Sequence, residues 1–185
     1  MNIGTTGIWD TNSKETYEFD MPLAFAIAGF FQKMNVADCA DLGCGAGKYT
    51  DYLNNAGIRT TGYDGNPNSF LMSEDCFGNF DLSVPFRIDP VDAVLSLEVG
   101  EHIPREFENI FLDNLTKNSK RFVVLSWFPI PGHGIGHVNE RDNDWVKNQM
   151  LLRGFKSMND VEKFLRDSSS LWWFKESLLV FSRNG

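Results

Sequence analysis

The chain has 185 residues, of which 42% are hydrophobic, and this is typical of one compact domain. Its 25 acidic and 17 basic residues give a net charge of −8, so it lacks the positive surface that usually binds a phosphate backbone. Its three cysteines are not spaced like a zinc site or a disulfide framework, and no apolar run reaches the roughly 18 residues of a membrane span. We therefore expect a soluble, cytoplasmic protein with reduced thiols that binds neither nucleic acid, membrane nor metal; its oligomeric state is left open.

The predicted elements begin after a polar, turn-rich segment of residues 1–20. Residues 22–34 predict an apolar helix, with Pro22 suited to its first turn. Seven strands are predicted at 36–42, 58–63, 76–80, 91–97 and 121–127, near 155 and at 178–182, and further helices at 49–55, 104–118, 142–152 and 161–166. This alternation predicts one doubly wound α/β domain over residues 1–185, with a mostly parallel seven-stranded sheet, helices on both faces and an antiparallel last strand. Residues 1–35 would form an N-terminal lid and helix.

A glycine-rich turn, Asp41-Leu42-Gly43-Cys44-Gly45-Ala46-Gly47, stands between the first of these strands and its helix. In a doubly wound sheet this is where a ligand can approach bare backbone. Glycine allows positive φ angles and close approach, and the following helix presents free N–H groups. The dinucleotide pattern G-x-G-x-x-G fails here because Lys48 takes the place of its third glycine. The turn therefore favours S-adenosylmethionine over a nicotinamide cofactor.

Gly62-Tyr63-Asp64-Gly65 ends the second strand of this βαβ unit. The Asp64 carboxylate would lie beside the glycine turn, where its two oxygens can accept hydrogen bonds from two ribose hydroxyls. The alternative is a solvated turn carboxylate, since Gly65-Asn66-Pro67 follows. We predict that Asp64 binds the cofactor, with Gly65 next to it.

In sequence order, Asp41 to Gly47, Asp64, Asp81-Leu82 and Glu98 resemble the class I S-adenosylmethionine-dependent methyltransferases over nearly the whole chain. The resemblance implies the Rossmann-like methyltransferase fold and a cofactor site formed by Asp41, Gly43, Cys44, Gly45, Gly47, Asp64, Gly65, Asp81, Leu82 and Glu98. Within it, Gly43 and Gly45 would face the methionine part, Asp64 the ribose, Asp81 with Leu82 the adenine, and Glu98 the methionine or the substrate.

The stretch from Asp92 to Pro104 looks like the small-molecule form of this family. Nucleic-acid amino-methylating members carry Asp or Asn, two prolines and an aromatic here, and cytosine C5 members carry Pro-Cys; neither pattern occurs. Gly136-His137-Val138-Asn139 further resembles a loop of a phage or bacterial subgroup.

Histidine is the side chain that is poised for proton transfer near neutral pH, so His102, His133 and His137 are the candidate bases. His133 and His137 follow the fifth strand, at the rim where an acceptor should lie. We predict His137, with His102 as second choice, as the catalytic group, and Tyr17, Trp127, His133 and Asn139 as substrate-binding residues. The alternative for all three histidines is a structural role, in the loop or the wall of the cofactor pocket.

The expected function is transfer of a methyl group from S-adenosylmethionine to an oxygen or nitrogen of a small molecule, with S-adenosylhomocysteine as product. A non-catalytic cofactor-binding module or partner subunit remains an alternative, as does a protein methyltransferase. A nicotinamide-dependent oxidoreductase is disfavoured by the spacing of the glycine turn.

Overall fold

The structure, a computed structural model, describes residues 2–132 and 134–184. Its strands are β1 (Asn2–Ile3), β2 (Trp9–Asp10), β3 (Asp38–Leu42), β4 (Arg59–Tyr63), β5 (Cys76–Phe77), β6 (Val91–Ser96), β7 (Ser119–Ser126), β8 (Phe155–Ser157) and β9 (Leu178–Arg183). Its helices are α1 (Met21–Lys33), α2 (Lys48–Asn55), α3 (Ser69–Met72), α4 (Glu108–Lys117), α5 (Asn143–Leu152), α6 (Asn159–Ser168) and α7 (Trp172–Ser177). Short 3₁₀ turns lie at Lys14–Thr16, Gly100–His102 and Arg105–Phe107.

Seven strands form one mixed sheet in the order β5-β4-β3-β6-β7-β9-β8. The pairs β3–β4, β3–β6, β4–β5 and β6–β7 are parallel, whereas β9 runs antiparallel to both of its neighbours. The predicted doubly wound sheet with an antiparallel last strand is therefore confirmed. Chain order reverses at β3, because β4 follows on one side and β6 lies on the other. The crevice at this reversal is the usual place for a ligand in such sheets.

Helices cover both faces of the sheet, which explains why its strands read as continuous apolar runs. In β9 the alternate residues Leu178 and Val180 pack into the cluster formed with α1, α2, α6 and α7. Their neighbours Leu179 and Phe181 pack on the opposite face, against α4 and α5. Both faces are thus core, and the functional surface is left to the edge where the strands end.

The first long helix is fixed at its start by Asp20. One carboxylate oxygen accepts the Leu23 N–H at 3.1 Å, which is an N-cap, and Pro22 lies in the first turn. The other oxygen accepts the Ser169 hydroxyl at 2.6 Å and two backbone N–H groups of the α6–α7 connection. Asp20 therefore joins α1 to the far end of the chain, and α1 is part of the core.

Three features differ from the sequence-based expectation. Ser69–Met72 and Trp172–Ser177 form the helices α3 and α7, which were not predicted, and residues 2–10 include a small antiparallel hairpin of β1 and β2. In these segments the local pattern is too short to reveal an element that tertiary contacts stabilise. Among the described residues, no helix is long and apolar enough to cross a membrane.

Candidate functional site

The glycine-rich turn connects β3 to α2 at the point where the strand order reverses. Gly43, Gly45 and Gly47 all have positive φ angles, of 86°, 55° and 74°. The Gly43 N–H donates to the Tyr63 carbonyl at 2.7 Å, which holds the turn against the end of β4. A Cβ atom at Gly43 would lie 2.3 Å from Val99, so a side chain is excluded. The sequence thus places bare backbone at the ligand crevice.

Asp64 follows β4 and orders the turn directly. Its Oδ2 accepts the Gly45 N–H at 2.7 Å, and its Oδ1 accepts the Asn66 N–H at 2.7 Å. Burial raises the pKa of this carboxyl above its ordinary value. Each carboxylate oxygen has a second lone pair, so both retain capacity for a ligand hydroxyl.

A cavity of about 340 Å³ opens between the glycine turn, the ends of β4 and β6 and the N-terminal segment. This volume is at the lower end of the range for small-molecule sites. Eleven predicted site residues line it: Tyr17, Asp41, Gly43, Cys44, Asp64, Gly65, Asp81, Leu82, Glu98, His102 and His137. The fold therefore brings together residues that are up to 120 positions apart in the chain.

Three carboxyl groups of the cavity wall have raised pKa values. Burial raises the pKa of Asp41 to about 7. The Thr50 hydroxyl, which donates to the Asp41 carboxylate at 2.8 Å, lowers this pKa but does not offset the effect of burial. Burial also raises the pKa of Asp64 and Glu98. Among the described residues that line the cavity there is no Lys or Arg. Because a bound cation favours the ionised form of a nearby carboxyl group, the site is suited to a cationic ligand and unsuited to a pyrophosphate.

Glu98 is held in an unusual backbone conformation at the end of β6. Its φ angle is 55°, in the left-handed region that glycine usually occupies. Its N–H donates to the Ser126 hydroxyl at 2.7 Å, and its carboxylate accepts the Ser177 hydroxyl at 3.1 Å. Such strain persists only where surrounding contacts enforce it, and it is common at binding sites.

The N-terminal segment covers the cavity. The Tyr17 ring packs on Gly45, where a Cβ would lie 2.3 Å from the ring. Asn66 Nδ2 donates to the Tyr17 hydroxyl at 3.0 Å, and Lys48 Nζ donates to the Tyr17 carbonyl at 2.6 Å. Burial raises the pKa of Tyr17 further above its already high ordinary value. Trp9 also lines the cavity.

His102 and His137 both line the cavity and pack edge-on against each other, with ring centroids 4.9 Å apart and ring planes at 83°. His102 Nδ1 lies 3.1 Å from the Gly136 carbonyl, and the Trp9 ring packs edge-on against His102. Burial lowers the pKa of His102 to about 4 and also lowers that of His137. Both rings are therefore neutral at pH 7. His133 lies outside the described residues.

Two predicted substrate contacts are corrected by the structure. Trp127 is 0% exposed, packs edge-on against Phe111 and Trp145, and donates its Nε1–H to the Asn139 carbonyl at 2.6 Å. The Asn139 side chain is buried and donates to Glu108 at 3.2 Å. Neither side chain lines the cavity, because both are used to hold the loop after β7 onto the core.

Two glycines predicted to bind the cofactor, Gly45 and Gly47, lie beside the cavity lining rather than in it. Gly45 supports the Tyr17 ring, and Gly47 is the left-handed residue before α2, where a Cβ would lie 2.5 Å from Ser73. Neither lines the cavity as it stands, so their role is to shape the turn rather than to face an open space.

Sequence reasoning missed several residues of the wall. Trp173 and Phe174 line the cavity at the start of α7. Ile8 and Val99 also line it. The sequence could have indicated Val99 as a lining residue, because it follows a strand end beside Glu98. The position of Trp173 and Phe174 becomes clear only from the pairing of β9 with β7.

Comparisons with known proteins agree with this geometry. Residues 40–117 match a family model described as a methyltransferase domain. Comparison with curated protein sequences finds no match.

Solved structures with a similar fold include three methyltransferases. Magnesium protoporphyrin IX methyltransferase from Synechocystis PCC 6803, with bound S-adenosylhomocysteine, is 17% identical with a TM-score of 0.66, covering 87% of this chain and 82% of that chain. A sugar N-methyltransferase from Streptoalloteichus sp ATCC 53650 is 11% identical with a TM-score of 0.72, covering 100% of this chain and 99% of that chain. An amino pentose methyltransferase from Micromonospora echinaspora, with bound S-adenosylmethionine, is 14% identical with a TM-score of 0.65, covering 87% of this chain and 90% of that chain. At these identities the likeness establishes the fold, which is the Rossmann-like methyltransferase fold.

Proposed function

We propose that this protein is an S-adenosylmethionine-dependent methyltransferase that methylates an oxygen or nitrogen of a small molecule and releases S-adenosylhomocysteine. The observation that carries the proposal is the cavity itself. A glycine turn at the carboxyl end of β3 lies beside Asp64, within a wall that holds three carboxyl groups with raised pKa values and, among its described residues, no Lys or Arg. S-adenosylmethionine carries a cationic sulfonium and a cationic amine, which suit this wall.

The same observation opposes a nicotinamide cofactor. A dinucleotide brings two phosphate charges to the first βα turn, next to Asp41 and Asp64. Repulsion from these carboxylates and the absence of a third glycine at Lys48 both act against it.

We assign the cofactor to Asp41, Gly43, Cys44, Asp64, Gly65, Asp81, Leu82 and Glu98, which all line the cavity. Asp64 would accept the ribose hydroxyls, and Asp81 with Leu82 would lie near the adenine. Tyr17, with its ring on the glycine turn, would cover the cofactor and contact the acceptor.

The acceptor is proposed to be small because the cavity is covered by the N-terminal segment and holds about 340 Å³. The solved methyltransferases of similar fold act on a porphyrin, a sugar and an amino pentose, according to their names. His137 and His102 also line the cavity. We propose His137 as the group that orients the acceptor and assists loss of its proton.

Cofactor binding is tested by calorimetry and thermal unfolding with S-adenosylhomocysteine and NAD. We expect S-adenosylhomocysteine to raise the unfolding temperature by mass action, with no comparable effect of NAD. Tighter binding of NAD would contradict the proposal.

Catalysis is tested by release of S-adenosylhomocysteine across a panel of hydroxyl and amine acceptors. Acceptor-dependent release establishes a methyltransferase, whereas tight binding without release from any acceptor would point to a cofactor-binding module. Release only with a basic peptide would point to a protein methyltransferase.

The role of His137 is tested once an acceptor is known. His137→Ala should lower turnover by roughly 10²-fold while S-adenosylhomocysteine affinity stays near that of the parent. A change of only a few-fold would make His137 a structural loop residue.

A further inference from the structure

Glu101 is a buried acidic residue whose charge is not balanced by any neighbouring side chain among the described residues. Its side chain is 0% exposed, and neither carboxylate oxygen has a hydrogen-bond partner among the described residues. The Glu98 carboxyl group lies nearby. A buried carboxylate is strongly destabilising unless it is protonated or paired with a cation. Something must therefore neutralise Glu101.

Two imidazole side chains, those of His102 and His137, lie beside Glu101. His102 Nδ1 lies 3.1 Å from the Gly136 carbonyl. A carbonyl only accepts hydrogen bonds, so this nitrogen carries the proton and Nε2 keeps its lone pair. Metal-binding histidines typically donate their other N–H to a backbone carbonyl in this way. His137 Nδ1 is buried and has no partner within the described part of the chain.

One ligand atom from each of Glu101, His102 and His137 lies within 4.8 Å of the other two. Around a tetrahedral ion with bonds of about 2.0 Å, ligand atoms are about 3.3 Å apart, so small side-chain rotations would complete the site. The backbone already fixes the two segments together: the Val138 and Asn139 N–H groups donate to the Glu101 carbonyl at 2.8 and 3.0 Å. The arrangement is thus assembled by the fold before any ion binds.

We propose that Glu101, His102 and His137 form a binding site for one divalent transition-metal ion, with Zn²⁺ as the representative ion. Two imidazole nitrogens and one carboxylate oxygen are a ligand set of catalytic zinc and non-haem iron sites, with remaining positions open. The ion's charge compensates the buried carboxylate. His102 and His137 line the cavity, so an open position faces it.

Metal binding here does not depend on methyl transfer. If the proposed function also holds, the ion offers a Lewis acid at the acceptor side, and His137 acts by holding it rather than as a free base. Loss of activity in His137→Ala is compatible with either role, so the metal site is tested by binding alone.

The experiment titrates the full chain with ZnCl₂ by calorimetry, after chelator treatment and without S-adenosylmethionine or acceptor. We expect one Zn²⁺ per chain, with at least about 10-fold weaker binding in Glu101→Gln and in His137→Ala. CoCl₂ provides a second readout, since Co²⁺ in the site should show visible absorption bands that both variants lose. Glu106→Gln is the matched control: Glu106 is an exposed acid five residues away, and its replacement should leave both signals unchanged.

Glu101→Gln should fold, because it removes a buried charge at constant shape, and far-UV circular dichroism checks this. The proposal would be overturned if the parent does not bind one Zn²⁺ per chain, or if the parent and both variants bind Zn²⁺ with equal affinity. In that case a proton shared with Glu98 would neutralise Glu101. Binding of S-adenosylhomocysteine is measured in parallel on the same samples. Its failure would count against the proposed function and not against the metal site.

Discussion

At the scale of single residues, Asp64 orders the glycine turn and is the residue proposed to accept the ribose hydroxyls. Its two oxygens accept the Gly45 and Asn66 N–H groups at 2.7 Å each. A ligand hydroxyl would therefore meet a carboxylate that is already aimed by the backbone. This pre-organisation reduces the entropy lost on binding.

Replacement of Asp64 should consequently affect both stability and binding. Asp64→Ala leaves two backbone N–H groups without their acceptors, so we expect a loss of about 1–3 kcal/mol in the free energy of unfolding and at least about 10-fold weaker binding of S-adenosylhomocysteine. Chemical denaturation and calorimetry measure the two effects. Asp89→Ala, at an exposed acid remote from the turn, is the control. Unchanged affinity in Asp64→Ala would remove Asp64 from the cofactor site.

Asp41 makes the stability of the ligand-free protein depend on pH. Its folded-state pKa of about 7 lies above the ordinary 3.8, so the buried carboxyl is neutral at low pH and charged at high pH. Its contribution to stability is fully present below about pH 4 and is lost as the pH rises through 7. A tenfold difference in the acid dissociation constant between the unfolded and folded states corresponds to about 1.4 kcal/mol of stability.

Asp41→Asn should remove this dependence. The free energy of unfolding of the variant minus that of the parent should rise between about pH 4 and pH 7 and then level off. Urea denaturation across this range measures the difference. Asp89→Asn, at an exposed acid, is the control, and its free-energy difference from the parent should not change with pH. A flat difference for Asp41→Asn would show that Asp41 is ionised throughout.

At the scale of elements, the N-terminal segment and the glycine turn are fitted to each other. Gly45 has a φ angle of 55° and carries the Tyr17 ring, whereas Gly57, after α2, has a φ angle of 84° and no atom within 4 Å of an added Cβ. Both glycines have a left-handed backbone conformation, but only at Gly45 would an added Cβ meet another side chain. Alanine variants at the two positions therefore form a matched pair.

Alanine at these two positions separates the covering role of Tyr17 from backbone strain. Gly57→Ala should cost only the strain of a left-handed residue, about 1–2 kcal/mol, and leave S-adenosylhomocysteine affinity unchanged. Gly45→Ala should carry the same strain and also displace Tyr17, with weaker binding and faster dissociation of S-adenosylhomocysteine. Stopped-flow dissociation provides the measurement. Equal affinities would mean that the segment does not cover the cofactor.

At the scale of the whole molecule, the net charge of −8 and the acidic cavity act in the same direction. Long-range repulsion of phosphate backbones should keep nucleic acids from the surface. The same field favours cationic ligands, in agreement with the proposed cofactor.

The corresponding prediction is negligible binding of labelled duplex DNA and single-stranded RNA, measured by fluorescence anisotropy at about 0.1 M salt. A basic protein of similar size gives the positive control. An affinity that falls steeply with added salt would indicate a basic patch that the net charge conceals, and a nucleic acid would then have to be tested as acceptor.

The sequence by itself determined the architecture of the sheet and most of the residues proposed to bind the cofactor. Strand alternation, the glycine turn and strand-end Asp64 and Glu98 are local signals, because apolar periodicity and glycine placement act within a few residues. The seven strands and the antiparallel last one are confirmed. Eleven of the residues predicted for the site line the cavity, and their roles there stay predictions.

Only the tertiary structure decided which way the side chains after β7 point and what they meet. Trp127 and Asn139 turn into the core, and Glu101 and His102 meet His137, which is 35 positions beyond His102. The helix α7, with Trp173 at the cavity, likewise depends on the pairing of β9 with β7. Such contacts join segments that are distant in the chain and are fixed by packing of the whole domain, so no local pattern of residues can encode them.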